Sequence, residues 1–133
     1  MTDYLKMIQE RGIGPLDYKM GIEIIEASPE RIVGTMPVET NTQAFGILHG
    51  GANVVLAELL GSLGAWCHAG GSKRTVGVDI NATHHKPARS GKITGVATPV
   101  SRGRTMVCYE IVITNEAGER TCTSRITSLI LND

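Results

Sequence analysis

The feature that most constrains this chain is a long apolar segment that contains a single charge. Residues 52–66 carry three polar side chains, which are Asn53, Glu58 and Ser62. Only Glu58 is charged. A helix that is apolar on nearly every side has to be covered almost all round. We therefore expect a helix from Gly50 to about Cys67 that lies inside a wrapping of other elements.

Segments typical of β-strands stand on both sides of this helix. They are rich in Val, Ile and Thr and cover residues 20–27, 31–38, 75–84, 92–100, 105–114 and 121–131. Residues 28–30 form a turn between the first two, and residues 115–118 are a hairpin signal. Two strands, one helix and then three or four strands predict an α+β fold, in which a meander of strands wraps around the helix.

The chain length fits one domain, and we take residues 1–133 as a single unit. A short amphipathic helix is predicted over residues 3–11, ended by Gly12, Gly14 and Pro15. A single curved sheet leaves open edges and an uncovered flank, which a domain of this size closes by association. We therefore expect at least a dimer, formed through sheet edges.

Composition excludes several classes of function. No run of 18 apolar residues offers a membrane span, and the charged N-terminal segment lacks the apolar core of a signal peptide, so we expect a cytoplasmic protein. Aromatic residues make up only 4% and the pI is near 6.9, which argues against nucleic acid as a partner. Cys67, Cys108 and Cys122 show neither CxxC nor zinc-ligand spacing. We expect no metal and no cofactor.

The zero net charge conceals a difference between the two halves. Residues 1–72 hold four Lys or Arg against eight Asp or Glu, whereas residues 73–133 hold nine against five. The formal charges are therefore −4 and +4. A basic C-terminal half suits phosphate groups, but solvated strand faces explain the same pattern, and the charges alone leave both interpretations open.

Glu58 is the strongest candidate for chemistry. A carboxylate on a buried helix is costly unless it is paired or hydrogen-bonded, and no Lys or Arg occurs from Ile32 through Ser72. We interpret Glu58 as a functional carboxylate, with a structural role as the alternative. Ser62 follows one turn later on the same face, where its hydroxyl either orients Glu58 or bonds back to the helix carbonyl.

The segment just before the helix suggests a site for developing negative charge. Residues 45–51 read FGILHGG, and paired glycines let a ligand approach the free N–H groups of a first helical turn. The alternative to a functional role for His49 is a structural one, as a helix cap or as a histidine of the core. If Gly50 begins the helix, Glu58 lies roughly 12 Å further along the axis. The two features therefore point to a site shared between two chains.

The run from Asn41 to Ser62, NTQAFGILHGGANVVLAELLGS, resembles hotdog-fold thioesterases of the phenylacetate and aryl-CoA type. The resemblance is strongest to the branch of 1,4-dihydroxy-2-naphthoyl-CoA hydrolases and enterobactin proofreading thioesterases. It implies a hotdog fold, hydrolysis of an acyl-CoA or aryl-CoA substrate, and a dimer of dimers. The implied catalytic residues are Gln43, His49, Gly50, Glu58 and Ser62.

In this scheme the Gly50 N–H polarises the thioester carbonyl, while His49 and Gln43 position the thioester or the attacking water. Glu58 acts as nucleophile or as general base, and the sequence leaves both roles open. The resemblance also implies contacts to the substrate and to the coenzyme A nucleotide. The substrate contacts are Gly77, His84, His85, Lys86 and Pro87; the nucleotide contacts are Ser101, Arg102, Gly103, Arg104, Thr105 and Met106.

Lys86, Arg102 and Arg104 are cations suited to phosphate, although an ordinary exposed turn explains each of them as well. Adjacent strand residues face opposite ways, so we expect one of His84 and His85 to line the pocket and the other to meet solvent.

Two other functions remain open from the sequence. One is a hotdog hydratase or dehydratase, and the other is a noncatalytic acyl-CoA sensor. A nucleophilic dyad of Cys67 and His68 is disfavoured, because neighbouring helical positions point about 100° apart.

Overall fold

A long helix and a six-stranded sheet make up most of the protein. A computed structural model describes residues 1–132. In chain order the elements are α1 (Tyr4–Arg11), α2 (Pro15–Lys19), β1 (Glu23–Ser28), β2 (Arg31–Pro37), α3 (Gly50–His68), β3 (Thr75–His84), β4 (Lys92–Arg102), β5 (Met106–Thr114) and β6 (Arg120–Ile130). All pairings in the sheet are antiparallel. The predicted α+β class is confirmed.

The strand order is β1-β2-β4-β5-β6-β3. The predicted meander is therefore wrong for β3, which pairs with β6 at the far edge and not with β4. The reason is the length of α3, whose 19 residues span roughly 28 Å. The helix carries the chain across the sheet, and β3 enters at the opposite edge. Because β3 ends the strand order, its second edge has no strand beside it among residues 1–132.

The sheet makes room for α3 with two opposed glycines. Gly34 of β2 and Gly95 of β4 are partners in the strand register. A Cβ added at Gly34 would lie 2.8 Å from one methyl of Leu60, and a Cβ added at Gly95 would lie 2.6 Å from the other. Leu60 is completely buried. The helix therefore approaches β2 and β4 more closely than any larger pair of side chains would permit.

The helix contributes small residues of its own on the side of β5. A Cβ added at Gly64 would lie 2.5 Å from the ring of Tyr109. The Tyr109 hydroxyl contacts the carbonyl oxygens of Gly64 and Pro29. Burial raises the pKa of Tyr109 to about 12, so this hydroxyl remains a neutral donor. Tyr109 thereby ties the last turns of α3 to the β1–β2 turn.

The first twenty residues differ from the prediction. Gly12, with φ of 86°, ends α1 as expected, but a second short helix begins at Pro15. Proline is favoured at the first position of a helix, and the Asp17 carboxylate accepts a hydrogen bond from the Gly14 N–H at 2.9 Å. The interpretation of Pro15 as part of a helix stop is therefore wrong, because this residue begins the next helix. No helix within residues 1–132 is both long and apolar enough to cross a membrane.

Candidate active site

The entrance of α3 is formed by a histidine cap. The His49 Nδ1 accepts a hydrogen bond from the Gly51 N–H at 2.8 Å, and α3 begins at Gly50 as predicted. Because Nδ1 accepts, the neutral ring carries its proton on Nε2, which remains available as a donor. The Gly50 N–H has no hydrogen-bond acceptor among the described residues. Two donors thus stand at the positive end of the helix dipole.

A cavity of about 380 Å³ opens beside this helix entrance. It is lined by Gln43, Ile47, Leu48, Gly50, Asn53, His84, His85, Lys86, Pro87 and Ala88. The Oε1 atom of Gln43 accepts a hydrogen bond from the Phe45 N–H, which leaves the Gln43 amide NH₂ free to donate. The structure therefore brings Gln43, Gly50 and residues 84–87 together in one chain.

Asn53 is a functional candidate that we did not recognise in the sequence. The residue is 5% exposed, and its Nδ2 lies 3.2 Å from the Nδ1 of His84. Its Oδ1 is buried without a hydrogen-bond partner. The Nε2 of His84 in turn lies 3.0 Å from the position of a Cβ added at Gly50. Asn53 thus holds His84 over the first turn of α3. The sequence signal that could have identified Asn53 is an amide in the first turn of an apolar helix.

The other residues of this segment have partners on β6 and in the β5–β6 turn. The Nε2 of His85 lies 2.9 Å from the Thr123 hydroxyl. The Nζ of Lys86 lies 2.5 Å from the Glu119 carboxylate, and this hydrogen bond lowers the pKa of Glu119. We expected only one of the two adjacent histidines at the pocket, but both border it. The reason is that β3 ends at His84, so strand alternation no longer applies to His85.

Glu58 is exposed in the single chain. The expectation that it is buried is therefore wrong for the chain on its own. It borders a depression of about 340 Å³ with Gly77, Val78, Asp79, Ile80 and Ile126. A Cβ added at Gly77 would lie 2.8 Å from the Oε2 atom of Glu58, so glycine leaves the space that the carboxylate occupies. Glu58 forms no ion pair with any other residue in the range 1–132.

The exposure of Glu58 follows from the position of the sheet. Residues of α3 that point to the sheet are buried, whereas a stripe at helical spacing on its other side is not. This open stripe comprises Gly51, Val54, Val55, Glu58, Leu59 and Ser62, all exposed or half-buried. The Ser62 hydroxyl bonds neither to Glu58 nor to a helix carbonyl among the described residues. Neither of the two roles we considered for Ser62 is therefore seen within one chain.

A third cavity continues from the open stripe towards the end of α3. It has a volume of about 590 Å³, and we call it the Trp66 groove. It is lined by Arg11, Leu59, Ser62, Leu63, Trp66, Gly71, Ser72, Lys73, Arg74, Thr75 and Val76. The Arg11 guanidinium carbon lies 4.6 Å from the centre of the Trp66 ring. The groove thus has an apolar floor and a cationic rim.

The candidate residues are divided within one chain. The entrance cavity and the Glu58 depression share no lining residue. Residues 101–106 are all exposed and lie at the other end of α3, where the Nε2 of His68 is 2.8 Å from the Gly103 carbonyl oxygen. Gly50 and His68 are separated by roughly 27 Å along the helix axis. The β4–β5 hairpin therefore does not reach the entrance cavity of its own chain.

Cys67 is not arranged as a nucleophile. Burial raises the pKa of the Cys67 thiol to about 12, and its neighbour His68 bonds to Gly103. Within residues 1–132 no group of three or more His, Cys, Asp or Glu side chains could hold a metal ion. The three cysteines are unpaired.

The protein has a long central helix against an antiparallel sheet, with hydrogen-bond donors at the helix entrance. This arrangement agrees with the resemblance found in the sequence, and comparison with known proteins establishes the family. The pattern of the Thioesterase superfamily matches residues 45–122, which include the helix entrance, Glu58 and the residues that follow β3. The chain belongs to the thioesterase superfamily. The predicted hotdog fold and the predicted enzyme class, a thioester hydrolase, are confirmed.

Individual relatives cover almost the whole length of this thioesterase. It is 39% identical to the proofreading thioesterase EntH of Cronobacter turicensis, over 96% of this chain and 93% of the relative. It is 38% identical to the 1,4-dihydroxy-2-naphthoyl-CoA hydrolase of Escherichia coli, over 96% and 94% of the two chains. The crystal structure of a Haemophilus influenzae thioesterase matches with a TM-score of 0.91 and 39% identity, over 99% of this chain and 93% of the other.

Proposed function

We propose that this thioesterase hydrolyses acyl-CoA or aryl-CoA thioesters to the free acid and coenzyme A, with Glu58 as the catalytic carboxylate. The observation that carries the proposal is the pair formed by an unpaired, exposed Glu58 and a helix entrance with an unused Gly50 N–H. The substrate class is supported by the relatives, one of which is named as a hydrolase of an aryl-CoA.

The helix entrance is the proposed site of the thioester carbonyl. Negative charge develops on the carbonyl oxygen as a nucleophile attacks, and preorganised N–H groups at a helix N-terminus stabilise it. The Gly50 N–H is the first of these groups. The Nε2–H of His49 and the amide of Gln43 are two further donors for the thioester or for water. His84, held by Asn53, closes the cavity on the side of β3.

Glu58 has two chemically sound roles. As a nucleophile, its carboxylate attacks the thioester carbon, the coenzyme A thiolate leaves, and water hydrolyses the resulting anhydride. As a general base, it takes a proton from a water that attacks the carbonyl directly. Both routes end with a carboxylic acid and free coenzyme A. Entry of ¹⁸O from labelled water into Glu58 during turnover identifies the anhydride route, because water that attacks the Glu58 carbonyl of the anhydride labels the protein, whereas the general-base route never does.

A second copy of the chain is proposed to complete the site. One chain keeps Glu58 and the helix entrance in separate depressions, roughly 12 Å apart along α3. β3 offers an unpaired edge with Val76 at 41% and Val78 at 53% exposure, next to the open stripe of α3. Pairing of two β3 edges covers these apolar side chains and brings Glu58 of one chain near the entrance cavity of the other.

The remaining candidates are assigned to the two ends of the substrate. Arg102, Arg104 and Lys86 are proposed to serve the phosphates, although Arg102 and Lys86 already bond to Glu30 and Glu119. Residues 101–106 lie far from the entrance cavity of their own chain, so they are proposed to serve a site of another chain within the expected dimer of dimers. The acyl group is proposed to extend from Glu58 past Ser62 into the Trp66 groove, because Leu59 and Ser62 border both the open stripe and the groove.

Release of free thiol tests the proposal. Wild type, Glu58→Ala and Glu58→Gln are assayed with benzoyl-CoA, 1,4-dihydroxy-2-naphthoyl-CoA and hexanoyl-CoA. Glu110→Ala is the matched control, because Glu110 is an exposed carboxylate on the face of β5 that turns away from α3. We expect hydrolysis by wild type and Glu110→Ala and its loss in both Glu58 variants. Equal activity in all four proteins would remove Glu58 from the mechanism.

A further inference from the structure

The Trp66 groove carries three cations and, among its described lining residues, no carboxylate. The cations are Arg11, Lys73 and Arg74. They come from the end of α1 and from the segment that leads into β3. The floor below them is apolar, with Leu59, Leu63 and Trp66. A groove with an apolar floor and a cationic far end is complementary to a ligand that has an apolar stem and an anionic tip.

Arg11 is the best placed of the three cations. Its guanidinium carbon lies 4.6 Å from the centre of the Trp66 ring, which fixes the flat group over the inner end of the groove. Only its Nε donates within the chain, to the Gly12 carbonyl oxygen at 3.2 Å. No carboxylate of residues 1–132 pairs with it. Lys73, by contrast, already donates to the Asn132 side chain at 2.8 Å.

Arg11 lies where the far end of an acyl group that starts at Glu58 would be. Trp66 lies eight residues after Glu58, or roughly 12 Å along the axis of α3. Leu59, Ser62 and Leu63 lie between them on the same side. An acyl chain that starts at Glu58 and follows these side chains therefore reaches Trp66 and Arg11 with its distal end.

We propose that Arg11 is a specificity-determining residue that selects acyl groups with a carboxylate at the end distant from the thioester. The inference rests on the proposed function, since it takes Glu58 as the start of the groove. The ligand class is the monothioester of an aliphatic or aromatic dicarboxylic acid. The guanidinium fork binds the distal carboxylate with two N–H groups, while Trp66 and Leu63 cover the stem.

Coenzyme A itself offers another source of negative charge, because its phosphates could reach the same cations. The two sources differ in a testable way. If Arg11 binds a phosphate, its removal weakens every coenzyme A thioester alike. If it binds the distal carboxylate, its removal weakens only the carboxylated substrates, and the effect persists in N-acetylcysteamine thioesters, which lack phosphate altogether.

The test compares hexanoyl with adipoyl thioesters, which match in length and differ in the terminal carboxylate. The variants are Arg11→Gln and Arg11→Lys, with Lys6→Gln as control, because Lys6 is an exposed cation on the same helix that does not line the groove. We expect Arg11→Gln to lower kcat/KM for adipoyl relative to hexanoyl by about fivefold to tenfold, with coenzyme A and N-acetylcysteamine alike. Arg11→Lys restores part of the preference, and Lys6→Gln leaves it unchanged.

Each other outcome has a definite meaning. An unchanged ratio in Arg11→Gln contradicts the inference while hexanoyl-CoA hydrolysis still supports the proposed function. An equal loss for both acyl groups, confined to coenzyme A thioesters, shows that Arg11 binds phosphate and also overturns the inference. A wild-type protein that hydrolyses neither substrate overturns the proposed function and the inference together.

Trp66 provides a second readout that does not require turnover. It is the single tryptophan of the chain and lies directly below Arg11, so its fluorescence reports occupation of the groove. Titration with adipate and with hexanamide, which has the same chain length and no carboxylate, is expected to show half-saturation at a lower concentration of adipate in wild type. That difference disappears in Arg11→Gln. Equal half-saturation in wild type would contradict the inference.

Discussion

The two sides of α3 differ in what the single chain provides for them. The sheet-facing side is fitted atom by atom, with Leu60 seated over Gly34 and Gly95 and with Gly64 against Tyr109. The opposite side has Glu58 and half-buried apolar residues and no covering strand within residues 1–132. An exposed apolar surface on a helix is typical of an interaction site. Packing of the sheet-facing side is therefore completed within the chain, whereas the proposed chemistry needs a second chain.

The largest expected effect comes from the open side. Glu58→Gln keeps the size of the side chain and removes its charge, so we expect thioester hydrolysis to fall by about 10² to 10⁴. Because Glu58 is exposed in the chain, the free energy of unfolding should change little. Thiol release and thermal denaturation measure the two quantities. A large drop in stability together with the loss of activity would mean that Glu58 holds the fold.

The sheet-facing side should respond in the opposite way. Leu60→Ala removes a completely buried side chain above two glycines that cannot fill the space, and we expect a loss of about 2–5 kcal/mol in the free energy of unfolding. Urea denaturation measures it. Leu59→Ala, one residue away on the open stripe, is the control and should cost clearly less. Equal losses for both would remove the distinction between the two sides.

Substitution of Asn53 tests whether this residue contributes to packing or to catalysis. Its amide holds His84 over the first turn of α3, but its buried Oδ1 has no partner. Replacement by Ala is therefore expected to lower stability by no more than about 1 kcal/mol. We expect kcat/KM to fall by about tenfold, because His84 is no longer oriented. A variant that is less stable but fully active would assign Asn53 to packing alone.

Cys67 gives the smallest expected effect on activity. Its thiol is buried and its pKa is raised to about 12, so it stays neutral and unreactive at about pH 8 in the folded protein. Cys67→Ser should leave thioester hydrolysis nearly unchanged. In the unfolded chain the thiol ionises from its ordinary value of 9.0, so its contribution to stability is present below that pH and is lost as the pH rises towards 12. Rapid labelling of Cys67 in the native protein would contradict this view.

The sequence predicted α3 and the strands well, because a long apolar run indicates the helix and runs rich in β-branched residues indicate the strands. It predicted the helix start at Gly50 for the same reason, since paired glycines precede a long apolar run. It could not predict that β3 lies beside β6, because that depends on where a long helix delivers the chain. It also overlooked α2, where Pro15 begins a helix and does not merely end one.

The candidate site was only partly predictable. Composition identified Glu58 as the single charge on an apolar helix, yet burial was the wrong inference, because hydrophobicity alone does not tell which side a partner covers. Asn53 gives little signal in the sequence, because an amide in a helix is common. Its buried, unpaired oxygen is visible only once His84 is brought beside it.

The most direct test of the two-chain site is complementation. Glu58→Gln and Gln43→Ala chains are prepared separately, each inactive or nearly so, and are then co-expressed so that mixed assemblies form. If Glu58 of one chain works with the entrance cavity of another, one site in each mixed pair is intact, and random pairing restores about a quarter of wild-type activity. Activity no higher than that of the two variants alone would contradict a shared site.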